Sequence, residues 1–177
     1  MKNKKKIVYK YDPFITVYKE NFKNEYQTRI NFHKIKLQDA AMVIIENEKG
    51  QILFLNEYRR GLNKKSLGFP GGHIESGQSP LKTVKRELLE ETGFIAKEWK
   101  PLFKYTRHGT YYCGQDYVYT AKINTNSVNS NKSENIKKKW LSKKAILRLL
   151  IKNKFETAGI IASISFYFIK NRYNLVV

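Results

Sequence analysis

Three glutamates stand close enough in the sequence to act together. Glu87, Glu90 and Glu91 occupy positions i, i+3 and i+4, which on a helix project from one face with Cβ atoms about 5–6 Å apart. Carboxylates at this spacing repel one another unless a cation neutralises them. Their hard oxygen atoms suit Mg²⁺ or Mn²⁺, which can bind substrate phosphates at the same time. The spacing therefore predicts a metal site that takes a phosphorylated substrate.

The residues around these acids predict the helix that must carry them. Ser79 is placed to cap its amino end, Pro80 suits its first turn, and Gly93 stands where a helix commonly ends. An apolar stripe lies beside the acids and consists of Leu81, Val84 and Leu88. A helix with such a stripe can pack on a sheet while it holds its acids at the edge of a cleft.

The segment from Gly72 to Phe94 reads GHIESGQSPLKTVKRELLEETGF and closely resembles the Nudix box, in which a glycine loop leads into an acidic helix and a closing glycine. The positions that fall in register are Arg86, Glu87, Glu90, Glu91 and Gly93. A glutamate-rich helix alone would more often be a solvated surface, but agreement over the whole box favours the metal site. The resemblance implies a Nudix hydrolase of the α/β class, with a mixed sheet in an α/β/α sandwich.

The resemblance also implies a role for each residue of the box. Glu87 and Glu91, assisted by Glu90 and by the carbonyl of Gly71, would hold Mg²⁺, with Mn²⁺ as the alternative cofactor. Arg86 would join the catalytic group by shaping the loop. In this family the ions neutralise charge and lower the pKa of a bound water that attacks phosphorus.

Outside the box, most of the chain is similar to the ADP-ribose pyrophosphatase-like branch. The stretch Asn56-Glu57-Tyr58-Arg59 resembles the Gln-Tyr-Arg element of that branch, so Arg59 would contact the substrate phosphates, a role that suits its planar fork of donors. Glu134 precedes Trp140 as the acid does in that branch and is the candidate catalytic base. A surface arginine and an exposed glutamate are the competing interpretations of these two residues.

The substrate implied by this branch is a nucleoside diphosphate linked to another moiety. ADP-ribose or a nucleotide sugar would be cleaved to a nucleoside monophosphate and a sugar phosphate. A nucleoside triphosphate or capped-RNA pyrophosphatase is the alternative within the same enzyme class, and the Phe69-Pro70-Gly71-Gly72 sequence gives it some support. The resemblance also leaves open a homodimer to which the amino-terminal strands contribute.

One position departs from the family pattern. Gln78 stands where the family usually has a glutamate that pairs with the arginine at the Arg86 position. A glutamine can still accept a hydrogen bond from the Arg86 guanidinium, but without the charge assistance of a carboxylate. We expect weakened or retuned activity, and a modest gain of stability or activity in Gln78→Glu. The substitution also keeps a third interpretation open, a non-catalytic nucleotide-sensing or nucleic-acid-binding module.

The composition fits one folded domain with a strong positive charge. Hydrophobic residues make up 41% of the 177 residues, and 34 lysines and arginines against 15 acids give a formal charge of +19. Lysine is scattered through every segment rather than concentrated on one element, so no specific nucleic-acid partner is expected. A single cysteine, Cys113, together with the lack of a secretion signal or a span of ~20 apolar residues, favours the cytoplasm and no membrane partner.

The remaining pattern predicts alternating strands and helices in a single domain over residues 1–177, with amino-terminal strands in 1–35 and a core in 40–170. The run at 40–46 is continuously apolar and predicts a strand that is buried on both faces. The other predicted strands are 7–11, 15–20, 27–32, 52–58, 102–106, 111–113 and 117–123. Loops are predicted at 61–70 and 124–132, and two further helices at 143–152 and 157–170.

Overall fold

A computed structural model describes residues 5–23, 25–111, 114–123 and 136–173. The strands in this part of the chain are β1 Lys5–Tyr11, β2 Ile15–Lys23, β3 Arg29–Leu37, β4 Ala40–Glu46, β5 Gln51–Arg59, β6 Lys64–Gly68, β7 Gly71–His73, β8 Lys97–Tyr105, β9 Asp116–Lys122 and β10 Lys137–Ser142. The helices are α1 Pro80–Thr92, α2 Lys143–Ile151 and α3 Ala158–Tyr173, with a short 3₁₀ turn at Arg60–Leu62. The predicted loop 124–132, Glu134 and Cys113 lie outside the described residues.

The strands form two separate sheets. The first three make an antiparallel sheet in the order β1-β2-β3, and a seven-stranded sheet has the order β10-β5-β4-β9-β8, with β6 paired to β5 and β7 paired to β4. Strands β4 and β9 run parallel, whereas the other pairs in the large sheet are antiparallel. The larger sheet is therefore mixed, as predicted.

Strand β4 lies at the centre of the larger sheet and is buried on both faces, as its apolar run predicts. One face carries Val43 and Ile45, which share a core cluster with Val84 and Leu88 of α1. The opposite face carries Ile44. Its cluster contains residues of α2 and α3, namely Ile146, Ile160 and Ile164. Helices therefore cover both faces of the sheet, and the predicted α/β/α sandwich is confirmed.

Helix α1 begins and ends where the sequence indicates. The Ser79 hydroxyl accepts a hydrogen bond from the backbone N–H of Lys82 at 3.3 Å, and Pro80 is the first helical residue. At the other end Gly93 has a φ of 74°, a left-handed conformation that glycine adopts at little cost. Its N–H donates to the carbonyl of Leu89 at 2.8 Å. These two ends fix the register of the acids along the helix.

Two predicted segments differ from the structure. The predicted loop 61–70 contains strand β6, which pairs antiparallel with β5. Its first two residues, Lys64 and Lys65, are exposed lysines, so the segment lacks the apolar pattern by which a strand is predicted from the sequence. Of the predicted strand 111–113, Tyr111 lies in a turn and the rest falls outside the described residues. Within the described ranges no helix is long and apolar enough to cross a membrane.

Candidate active site

Glu91 is the half-buried acid at the carboxyl end of the cluster. Its Oε2 accepts a hydrogen bond from the backbone N–H of Gly71 at 3.0 Å, which joins the last turn of α1 to strand β7. Burial is the main cause that raises the pKa of Glu91 to about 8, and the carboxylates of Glu57 and Glu87 raise it further against the opposing effects of the Gly71 hydrogen bond and Arg59. The positive charge near Glu91 is therefore too small to offset the effect of burial on its carboxylate.

Glu87 contacts the glycine pair one turn earlier on α1. A Cβ atom built on Gly72 would lie 2.5 Å from the Glu87 carboxyl carbon, far closer than atoms can approach without moving. The Glu87 side chain is only 17% exposed. A side chain at position 72 would therefore displace the Glu87 carboxylate, so the glycine lets this carboxylate lie directly against the backbone of β7.

Arg86 and Glu90 form the exposed side of the same cluster. The arginine donates from Nη1 to Glu90 Oε2 at 2.7 Å and from Nη2 to Glu87 Oε1 at 2.8 Å. A third carboxylate, that of Glu75, lies 3.5 Å from Nη2. The Glu90 side chain is 55% exposed, whereas Glu87 and Glu91 are half-buried. Arg86 therefore pairs with both Glu87 and Glu90.

The predicted hydrogen bond between Gln78 and Arg86 does not form, and that prediction was wrong. Gln78 Nε2 instead donates to Glu75 Oε2 at 2.8 Å, and its Oε1 accepts from the Thr83 hydroxyl at 3.3 Å. Glu75 supplies the carboxylate near Arg86, so a neighbour that can donate a hydrogen bond fits at position 78 better than a second acid. Glu75 was not singled out in the sequence because loop acids carry no periodic pattern.

Arg59 and Glu57 face the acids from strand β5. Alternate residues of a strand share a face, and Leu53 packs in the cluster with α1, so Glu57 and Arg59 lie on that side of the sheet. Arg59 Nη2 is 2.5 Å from Glu57 Oε1. Both charges influence Glu91. Glu57 was missed as a site residue, although its spacing from Leu53 could have identified it once the α1 face was known.

Glu87 also lines an open cleft of about 420 Å³. Its lining includes Phe14, Gln38, His73, Glu75, Arg86 and Glu87. The Phe14 ring meets the His73 ring edge-on at 6.3 Å and stacks on Tyr11 at 5.7 Å. Phe14 and His73 thus form an aromatic wall in the cleft that Glu87 also lines. The sequence did not indicate that the turn between β1 and β2, which carries Phe14, contributes to this cleft.

The carboxylates present fit a divalent cation by chemistry and by charge. Glu87, Glu90 and Glu91 provide oxygen donors on one helix face, and the raised pKa of Glu91, caused chiefly by burial, indicates a place where a cation would be stabilised. Among the described residues no three acidic, histidine or cysteine side chains enclose an ion as they stand. Glu87 and Glu90 point to Arg86 and Glu91 to Gly71, so binding would require these side chains to turn.

The comparisons with known proteins agree with this arrangement. The NUDIX domain family matches residues 36–163, and the chain belongs to this family. An ADP-ribose pyrophosphatase of Bacillus subtilis (strain 168) is 34% identical over 64 residues, which cover 36% of this chain and 35% of that protein. An 8-oxo-dGTP diphosphatase of Haemophilus influenzae is 44% identical over 62 residues, which cover 34% of this chain and 45% of that protein. The matches thus span less than half the length of these relatives.

A solved structure shares the fold over nearly the whole chain. It is described as an ADP compounds hydrolase and superposes with a TM-score of 0.79 at 19% identity, covering 99% of this chain and 98% of that one. The expected resemblance to the Nudix family and its sandwich fold is confirmed. The roles predicted for Gly71, Arg59, Arg86 and the three glutamates of the box stay predictions, as does that of Glu134.

Proposed function

We propose that this protein is a Mg²⁺-dependent pyrophosphohydrolase that cleaves a nucleoside diphosphate linked to another moiety, with ADP-ribose or a nucleotide sugar as the favoured substrate. The observation that carries the proposal is the half-buried carboxylate of Glu91, which accepts a hydrogen bond from the Gly71 N–H at 3.0 Å next to Glu87 at the edge of an open cleft. The family membership and the ADP-ribose pyrophosphatase among the relatives support the reaction class.

The metal would be held by Glu87, Glu90 and Glu91, with the Gly71 carbonyl as a further ligand. Bound Mg²⁺ would neutralise the diphosphate and lower the pKa of a bound water. When the ion binds, Glu87 and Glu90 would turn from Arg86 towards it, and in the metal-free state Arg86 would keep both acids close to the cleft. Arg59 would contact the phosphates from strand β5. Glu134 is proposed as the base that removes the proton of the attacking water.

The cleft supports a substrate with a flat or ring-shaped group beside its phosphates. Phe14 and His73 line the same cleft as Glu87, and aromatic rings are suited to stack on a nucleobase or cover a sugar. A diphosphate bound at Glu87 and Glu91 would place one of its two substituents against this wall. Such an arrangement favours a substrate with groups on both sides of the diphosphate over a simple triphosphate.

The test is product release from a panel of ADP-ribose, nucleotide sugars, dinucleotides and nucleoside triphosphates with Mg²⁺ or with EDTA. We expect AMP and a sugar phosphate from ADP-ribose, no product in EDTA, and loss of turnover in Glu87→Gln. Glu48→Gln, which removes an equal charge from an exposed turn, is the matched control. Faster release from 8-oxo-dGTP or another triphosphate would favour the alternative that the second relative suggests.

Absence of product from every compound would instead favour the non-catalytic module. Its nucleic-acid-binding form predicts sub-micromolar, sequence-selective binding of labelled RNA or DNA at about 0.15 M salt, where screening weakens the diffuse field of scattered lysines. We expect weak binding that salt removes, because the charge of +19 has no accompanying nucleic-acid-binding motif.

The same proposal includes a homodimer formed through the amino-terminal sheet. Strand β1 is an edge strand whose residues are all exposed, among them the apolar Ile7, Val8 and Tyr9. Edges of this kind invite pairing with another chain. Light scattering should find a dimer that Tyr9→Glu dissociates. Ile151→Lys on the exposed end of α2 is the control that should leave it intact, and a monomeric wild type would contradict this part of the proposal.

A further inference from the structure

The Arg59 guanidinium lies in a seat made by two residues outside the box. Its Nη2 pairs with Glu57 Oε1 at 2.5 Å. On the neighbouring strand β6, a Cβ built on Gly68 would lie 2.8 Å from the same Nη2 and 3.9 Å from Glu57 Oε1. The guanidinium therefore lies directly over Gly68, in space that any side chain at this position would occupy. Gly68 is buried and pairs with Leu55 of β5.

This seat faces the acids of α1. Leu53 of β5 packs in the cluster that contains Val84 and Leu88 of α1, and Glu57 and Arg59 share its face of the strand. Both charges act on the Glu91 carboxylate. The Arg59 side chain is 47% exposed, and a guanidinium has five N–H donors, so donors remain for a ligand after the pair with Glu57 has formed. A flexible arginine is thus held at one place on the face of the sheet that α1 covers.

We propose that Glu57 and Gly68 are positioning residues that fix the Arg59 guanidinium beside Glu91, where it binds the phosphate groups of a nucleoside diphosphate. The inference rests on the proposed function for its substrate class. Glu57 acts through Arg59 and is neither a metal ligand nor in contact with the substrate.

Simple electrostatics makes the opposite forecast for the key variant. Glu57→Gln removes a negative charge near the phosphates. If Glu57 were merely a nearby charge, an anion should therefore bind more tightly to this variant. If Glu57 positions Arg59, the anion should bind more weakly, because the released side chain must be ordered again on binding. The sign of the change therefore separates the two interpretations.

The experiment is titration calorimetry of the full chain with α,β-methylene ADP, which resists cleavage between its phosphates, in the presence of Mg²⁺. We expect Glu57→Gln to weaken binding about tenfold and Arg59→Gln to weaken it at least as much. In the double variant the second change should add little, since both act on one contact. Glu48→Gln is again the matched control and should bind like the wild type.

Gly68→Ala tests the seat without a change of charge. Its Cβ would displace the guanidinium and should weaken the probe several-fold, while the melting temperature stays near that of the wild type because the displaced atom is the end of a flexible side chain. Mn²⁺ affinity without nucleotide, measured by electron paramagnetic resonance, should change less than about threefold in Gly68→Ala, since this variant removes neither a metal ligand nor a charge.

Tighter binding of the probe by Glu57→Gln, additive losses in the double variant, or a large loss of Mn²⁺ affinity in Gly68→Ala would each overturn the inference. So would a wild type that does not bind the probe. If the wild type binds it through Arg59 but hydrolyses none of the candidate substrates, the proposed function fails while this inference stands.

Discussion

The two sides of Glu87 are built on different principles. On the inner side, the Glu87 carboxylate lies in the space that a Cβ of residue 72 would need, and the half-buried Glu91 accepts a hydrogen bond from a backbone N–H. On the outer side, Arg86 and Gln78 belong to a network of partly exposed polar side chains around Glu75. Contacts with the glycine backbone hold the inner side, whereas interchangeable hydrogen bonds and ion pairs between side chains hold the outer side.

This difference sets how sensitive each side is to substitution. A Cβ at position 72 has to displace the Glu87 carboxylate, and a half-buried carboxylate that loses its protein partners cannot regain full hydration, which costs free energy. An exposed ion pair contributes only about 0–1 kcal/mol, and its partner can be replaced by a nearby acid. We therefore expect changes on the inner side to affect catalysis and changes on the outer side to affect mainly stability.

The largest effect is expected for Glu91→Gln. The amide keeps the shape of the side chain but removes a ligand charge, so turnover at saturating Mg²⁺ should fall below about a tenth of wild type, a loss of at least ~1.4 kcal/mol in transition-state stabilisation. Metal-free stability at pH 8 should not fall, because a neutral group at this buried position carries no penalty for ionisation. Steady-state kinetics and thermal melts measure the two effects, and turnover above a tenth of wild type would exclude a ligand role.

Gly72→Ala should be the next most damaging change. Its Cβ must displace the Glu87 carboxylate from 2.5 Å, so we expect turnover to fall roughly fivefold or more through misplacement of this ligand. Gly61→Ala is the control, because a Cβ there meets nothing within 4 Å. Equal activity of the two variants would show that the close contact at Gly72 does not matter to the reaction.

The buried acid also predicts a pH dependence of metal-free stability. Folding raises the pKa of Glu91 from 4.5 to about 8, mainly through burial, so the folded state holds a proton that the unfolded state has lost between these values. The stabilisation is complete below pH 4.5 and is lost as the pH rises through about 8. Between pH 5 and 8.5 the melting temperature of the wild type should therefore fall relative to that of Glu91→Gln.

The shift from 4.5 to about 8 corresponds to a relative fall of about 4 kcal/mol over this pH range, or roughly 8–16 °C for a chain of this size. Mg²⁺ should raise the melting temperature of the wild type more at pH 8.5 than at pH 5, because the metal binds the ionised carboxylate. A constant difference between the two proteins in EDTA would contradict the raised pKa.

The same contrast explains what could be predicted from the sequence. The inner side was predictable because helix spacing places Glu87 and Glu91 on one face and because the glycine loop before the helix is part of the box pattern. The outer partner of Arg86 could not be predicted, since Glu75 and Gln78 lie in a loop where either can reach the arginine. Glu57 and Phe14 come from β5 and from the β1–β2 turn, and only the folded sheets bring them near α1.

The smallest predicted effect, that of Gln78→Glu, tests the outer side. In the structure Gln78 donates to Glu75 at 2.8 Å; a glutamate cannot donate this hydrogen bond and would place a second negative charge beside the first. We now expect the melting temperature to fall by about 2–4 °C, for a loss of roughly 1 kcal/mol, with little change in turnover. Glu75→Gln combined with Gln78→Glu exchanges donor and acceptor and should restore most of the loss, because Arg86 keeps one nearby carboxylate. A rise in melting temperature in the single variant would mean that the new acid pairs with Arg86 after all, as the family pattern implied.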